Sequence, residues 1–169
     1  MIQYLNEDEV YRVGMCIEEA GLAFYTKMAE KADDPATKRI FKRLAKDEKA
    51  HLAFFESLEL ETKGGMGKQP AEMDSDVSSY VCSLVDGGIF RSIAKMESMS
   101  RRKFNPESAL ELALQVEKDA VLYYSEAHRV NKKRKAKKAL ERLIEEEKGH
   151  VTVISKRLEK VRKARKKGK

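Results

Sequence analysis

Residues 147–150 read "EKGH", and residues 48–51 read "EKAH". The two tetrapeptides lie 99 residues apart, and the same offset aligns much more of the chain. Asn6 falls on Asn105, Glu18 on Glu117, Tyr25 on Tyr124, Lys38 on Lys137, Arg43 on Arg142 and Leu44 on Leu143. In each copy a single glutamate precedes the glutamate of the Glu-x-x-His by 30 residues. One domain thus contains one unit twice.

Each unit reads as a helical hairpin. Asn6 with Glu9 fits a capping box, and Val10, Val13, Ile17, Phe24 and Met28 recur at helical spacing, which predicts a helix over about 7–32. Asp34-Pro35 starts a second, to about residue 62, because proline is tolerated in a first helical turn. Asn105-Pro106 starts a third, to about Arg129, and a fourth runs from about Lys133 to beyond Leu158. The turns within each pair are short, so each pair is antiparallel. Between the hairpins lie residues 63–104. They open with the breaker "KGGMGKQP" and carry two candidate short helices, one around Val77–Val85 and one over Ile89–Met99. A helix of 28 residues is about 42 Å long, and this connection can run back along such a bundle. The expected fold is therefore all-α: a four-helix bundle of two αα-hairpins joined by a long crossover. The expected division is a bundle over 1–158, with 63–104 as the crossover, and a basic tail over 159–169.

Helical periodicity puts the repeated polar residues on the core seam. In the second helix the row is Phe41, Leu44, Glu48, His51, Phe55, Leu58, and in the fourth it is Leu140, Leu143, Glu147, His150, Ile154. Positions i and i+3 share a face, so each Glu-x-x-His points one way. The rows on the other helices are Tyr11, Gly14, Glu18, Gly21, Tyr25 and Leu110, Ala113, Glu117, Ala120, Tyr124. Four carboxylates and two imidazoles therefore converge in an apolar bundle, with no Lys or Arg on these rows. Buried charges must be paired or bind metal, and two divalent ions would cancel four carboxylates. Mixed nitrogen and oxygen ligation suits iron or manganese, and less often zinc. Small residues beside each single glutamate (Gly14, Gly21, Ala113, Ala120) leave room for bridging carboxylates and a substrate.

Composition narrows the setting. The two cysteines, Cys16 and Cys82, form no CxxC pair, which excludes a four-cysteine iron site or zinc ribbon within this chain. There is no signal-peptide pattern and no apolar run of 18 residues, which fits a reducing cytoplasmic location. The net charge of +7 is unevenly placed: residues 132–138 carry six positive charges, residues 155–169 a net +8, and the remainder −7. The basic segments lack interleaved aromatics, so a solvated helix end or frayed tail is the expectation, with nucleic acid or an acidic partner as the alternative.

"EEAGLAFY", "DEKAHLAFF", "EKDAVLYY" and "EEEKGHV" resemble the rubrerythrin branch of the ferritin-like superfamily, over about residues 6–62 and 105–158. The resemblance implies a di-iron carboxylate site with Glu18, Glu48, His51, Glu117, Glu147 and His150 as ligands, Glu48 and Glu147 bridging. It implies that Tyr25 and Tyr124 hydrogen-bond ligand carboxylates; from the residues alone, core packing is an equal alternative. It implies two iron ions as cofactor, with manganese or zinc as substitutes. The implied activity is reduction of hydrogen peroxide or dioxygen using an external electron donor such as a rubredoxin-like protein, and a homodimer is compatible with it. Two departures stand out. The rubredoxin-like domain of full-length rubrerythrins is absent, and Ala120 occupies the position of their extra glutamate. The resulting four-Glu, two-His set is also like that of bacterioferritin, so ferroxidase activity in iron handling is the second expectation.

Other polar residues read as structural. Glu19, Glu145 and Glu146 are expected as solvated acids, His128 has no matching acid, and Cys16 is expected as a buried small hydrophobe. Gly149, aligned with Ala50, reads as close packing or as tolerance.

Overall fold

A computed structural model describes residues 7–63, 88 and 90–167. These residues form five α-helices: α1 (Glu7–Lys31), α2 (Pro35–Lys63), α3 (Phe90–Ser100), α4 (Pro106–Val130) and α5 (Arg134–Lys167). No strand occurs among the described residues. The described residues form an all-α, ferritin-like helical bundle, as expected, and α3 matches the second short helix of the connection. The Asn6–Glu9 capping box and the short helix around Val77–Val85 lie outside the described residues.

Local chemistry sets the helix starts. The Asp34 Oδ2 accepts from the Thr37 backbone N–H at 2.6 Å, and the Asn105 Oδ1 from that of Ser108 at 2.9 Å. Each satisfies a donor that the first helical turn leaves without an intrahelical partner, and each helix then begins on a proline. Asn131 makes the turn into α5: its N–H donates to the Ala127 carbonyl at 3.1 Å, and its Oδ1 accepts from the Lys133 N–H at 2.9 Å.

Long-range bonds fix the topology. The Tyr123 hydroxyl donates to the Val10 carbonyl at 2.7 Å, and Asn131 Nδ2 donates to the Tyr11 hydroxyl, so the end of α4 lies beside the start of α1. The Arg157 guanidinium reaches Thr37 Oγ1 at 2.9 Å and also Asp34, so the end of α5 lies beside the start of α2. Lys31, at the end of α1, donates to the Ser100 and Arg102 carbonyls at 2.6 and 2.7 Å, just before α4 begins. Helices α1 and α4 are therefore antiparallel, as are α2 and α5, and α2 runs parallel to α4. The chain leaves α2 at one end of the bundle and enters α4 at the other, which is a crossover.

Two apolar clusters fill the ends of the bundle. One includes Tyr11, Ile17, Phe55, Leu58, Tyr123, Leu140 and Leu143; the other includes Phe24, Met28, Phe41, Leu44, Leu110, Ile154 and Leu158. Burying each such side chain contributes about 1.5–3 kcal/mol. The Glu and His residues of the repeat lie between the clusters. Helix α3 packs against α1 and α4, with Met96 buried and the Ser92 hydroxyl donating to Asp119 at 2.9 Å.

One expectation is sharpened and one changes. The last helix, expected to run beyond Leu158 into a solvated helix end or frayed tail, continues to Lys167. The reason is at the start of α4: Arg162 bonds Glu107 at 3.1 Å and also Glu111, and Arg165 pairs with Glu107 at 2.8 Å. Cys16 is exposed rather than buried. It sits two residues before Glu18, about 200° around the helix, on the face that turns away from the core.

Candidate metal centre

All six residues singled out by the repeat are buried and face one another: Glu18, Glu48 and His51 from the first hairpin, Glu117, Glu147 and His150 from the second. Their donor atoms fall into two sets, Glu18, Glu48, His51, Glu147 and Glu48, Glu117, Glu147, His150, and within each set the donor atoms lie within 4.8 Å of one another. Glu48 and Glu147 belong to both sets, so each could bridge two ions.

The atoms fit a cation. Glu18 Oε2, His51 Nδ1 and Glu147 Oε1 are buried and have no hydrogen-bond partner. His51 Nδ1 lies 3.0 Å from Glu147 Oε1 and 3.4 Å from Glu18 Oε2. Two donors each about 2.1 Å from a shared ion are about 3.0 Å apart at a right angle and about 3.4 Å apart at a tetrahedral one. In the second set His150 Nδ1 lies 2.9 Å from Glu147 Oε2 and 3.3 Å from Glu117 Oε2.

The supporting bonds cross between the hairpins. Tyr25 of α1 donates to Glu117 Oε1 of α4 at 2.5 Å, and Tyr124 of α4 donates to Glu18 Oε1 of α1. The outer nitrogens of the histidines are held in the same crossed manner. His150 Nε2 lies 3.2 Å from Asp47 Oδ2 of α2, and His51 Nε2 lies 3.0 Å from Glu146 Oε2 of α5. A carboxylate on the far nitrogen fixes the tautomer and leaves Nδ1 free to bind metal. The two imidazole rings stack with centroids 5.8 Å apart.

Glu146 is therefore not the plain solvated acid expected from sequence, although its side chain is 53% exposed. Asp47 was not singled out at all. The signal was available: each is an acid immediately before a Glu-x-x-His, and the 99-residue offset places one on the other. Glu19 and Glu145 are exposed, as expected, and Glu145 pairs with Lys148 at 2.6 Å. His128 stays outside the cluster and contacts Glu141 at 3.0 Å.

The glycines show how closely the cluster is built. A Cβ on Gly21 would stand 3.2 Å from the Glu48 carboxylate, so the bare backbone there makes room for a bridging candidate. A Cβ on Gly14 would come within 2.7 Å of the Phe55 ring, so this glycine admits an aromatic wall rather than a ligand. Gly149 is exposed and nothing lies within 4 Å of its would-be Cβ, which removes close packing as its reason.

Protonation follows from burial and proximity. Burial pushes the Glu48 carboxyl well above its ordinary value, and the neighbouring Glu18 charge adds to this. Burial raises Glu117 to about 8, against partial relief from His150. Burial also acts to raise Glu147, but the His150 and His51 imidazoles beside it outweigh this and hold the carboxyl well below the usual range. Burial disfavours charged imidazoles, yet the adjacent Glu147 and Glu18 carboxylates lift His51 to about 11, and those of Glu117 and Glu147 lift His150 to about 10. Tyr25 and Tyr124 are raised by burial and then by the adjacent carboxylates, so both hydroxyls stay protonated donors. Without metal, protons supply the cluster's positive charge.

The rubrerythrin family model matches residues 1–59, which span Glu18, Glu48 and His51. The match covers the first hairpin and supports a rubrerythrin-type family for that part of the chain. The second hairpin enters through the internal repeat, which places Glu117, Glu147 and His150 in register with the matched residues. No curated protein and no solved structure matches the chain. Among the described residues no helix is long and apolar enough to cross a membrane.

Proposed function

We propose that this rubrerythrin-type chain holds two iron ions and reduces hydrogen peroxide or dioxygen with electrons from a separate donor. One observation carries the proposal: two buried donor sets share Glu48 and Glu147, and three of their atoms lack any hydrogen-bond partner. Glu18 and His51 would hold one ion, Glu117 and His150 the other, with Glu48 and Glu147 between them. When bound, a pair of redox-active iron ions supplies the two electrons that convert peroxide and two protons to two waters.

The protein's part is positioning. Tyr25 and Tyr124 each engage one oxygen of a terminal carboxylate and leave the other directed at the centre. Asp47 and Glu146 hold the imidazoles with Nδ1 inward. Phe55 and Phe41 close the apolar ends, which keeps bulk water from the cluster and strengthens its electrostatics. Rapid mixing of the di-ferrous protein with each oxidant tests the proposal. Oxidation faster than that of free ferrous ion supports it, and oxidation no faster for either oxidant overturns it.

Ala120, buried in the core, favours a second reading. It offers no donor where rubrerythrins carry an additional glutamate, so the set is symmetric, as in bacterioferritin, and suits ferroxidase activity. Many iron atoms per chain within a large assembly support that reading, and a monomer or dimer by light scattering counts against storage.

A further inference from the structure

Charge is divided between the two sides of this bundle. Helices α2 and α5 together carry 21 Lys and Arg against 10 Asp and Glu, net +11, whereas α1 and α4 carry 5 against 11, net −6. The contacts of Asp47 with His150 and of Glu146 with His51 set α2 and α5 side by side, so their outward surfaces adjoin. On α2, Arg39, Arg43, Lys46 and Ala50 recur at one helical face, and on α5 so do Arg142, Gly149, Lys156 and Lys160; all eight are exposed. Cations therefore flank a centre made by Ala50 and Gly149, each the residue beside a cluster histidine, with Asp47 and Glu146 next to it and Arg43 within 3.5 Å of Asp47.

The same face carries the outer partners of the two cluster histidines. Asp47 is 30% exposed and Glu146 53%, and each contacts a histidine Nε2 whose Nδ1 points at the carboxylates. Ala50 immediately precedes His51 and Gly149 immediately precedes His150, so a carrier seated there lies next in sequence to both cluster imidazoles.

We infer that the α2–α5 face is the docking surface for an acidic one-electron carrier protein, which delivers electrons across the Ala50–Gly149 window. This rests on the redox reading of the cluster given above. Each encounter oxidises one carrier by one electron, two encounters return a di-ferric pair to the di-ferrous state, and no covalent bond forms or breaks. Complementary charge brings partners together faster and fixes their orientation, an effect that weakens with salt. A nucleic acid is the less suited occupant. Among the described residues the large exposed hydrophobic side chain is Leu122, on α4, so no exposed aromatic ring offers a stacking platform for bases.

The test uses a plant-type [2Fe–2S] ferredoxin as the acidic probe and cytochrome c as the basic control. Titration of the protein as purified should show ferredoxin binding that weakens with salt, and none of cytochrome c. Lys46→Glu with Arg142→Glu should weaken binding and slow ferredoxin-driven reduction of the iron-loaded protein about tenfold or more, while reduction by methyl viologen stays within about twofold. Gly149→Glu should act in the same direction without removing a cation. Unchanged ferredoxin binding and rates in all variants overturn the inference. So does retention of duplex DNA that is lost in Lys163→Glu/Lys167→Glu while ferredoxin rates stay constant, since that assigns the basic surface to nucleic acid. Failure of the methyl viologen-reduced protein to react with either oxidant overturns the redox reading instead, and leaves the binding titration to decide the face.

Discussion

Tyr25 on the first hairpin donates its hydroxyl hydrogen to Glu117 on the second, at 2.5 Å. Tyr124 makes the reciprocal bond to Glu18. Hydrogen bonds to charged groups contribute about 1.5–3 kcal/mol. Tyr25→Phe is expected to lower the affinity of the position held by Glu117 and His150, and Tyr124→Phe that of the position held by Glu18 and His51, each about 10- to 100-fold. Stepwise metal titration resolves the two positions. Loss at the same position in both variants contradicts the crossed arrangement.

Shared and unshared ligands differ in consequence. Glu147→Ala removes a donor from both sets, and elemental analysis should find close to no bound metal. Glu18→Ala removes a donor from one set only, so about one ion per chain should remain. Helical content measured alongside separates metal loss from unfolding.

The metal-free cluster has a definite pH signature. His51 at about 11 and His150 at about 10 stand above the ordinary histidine value of 6.5. Their contribution to stability is fully present below about 6.5 and is lost as pH rises through 10 and 11. Glu117, raised from 4.5 to about 8, acts in the same sense, with its cost growing as pH rises from 4.5 to 8. The metal-free protein should therefore lose stability from neutral to alkaline pH in thermal melts. Metal must displace these protons, so binding near pH 7 should release about two or more protons per chain. Calorimetry in two buffers of different ionisation enthalpy measures that number, and no release contradicts the protonated cluster.

Gly21 and Gly149 should respond oppositely to alanine. Gly149→Ala meets nothing within 4 Å and gains helix propensity of about 1 kcal/mol, which corresponds to a melting temperature higher by about 2–4 °C. Gly21→Ala places a methyl 3.2 Å from the Glu48 carboxylate and should weaken both metal positions. Melting curves and metal titrations of the two variants make the comparison.

Much of this was legible in sequence because helical period and the 99-residue offset both act along the chain. They located the four long helices, the seam and the six clustered residues without any tertiary information. What they did not carry was which helix faces which. Asp47 and Glu146 matter only because α2 lies beside α5, and Tyr25 bonds Glu117 only because α1 lies against α4. The ion pairs that hold the end of α5 were hidden for a related reason. A run of Lys and Arg looks solvated until Glu107 and Glu111 are known to stand beside it.

Each donor set takes three residues from one hairpin and its fourth from the other. Neither hairpin alone contains a complete coordination set, so the two ions cannot be captured in sequence by successive halves of a growing chain. Their binding must await closure of the crossover, which makes bound metal a direct report that the two halves have met in the right register. In kinetic terms, iron uptake should follow docking of the hairpins and then oppose their separation, so the holoprotein's unfolding rate is set by metal release.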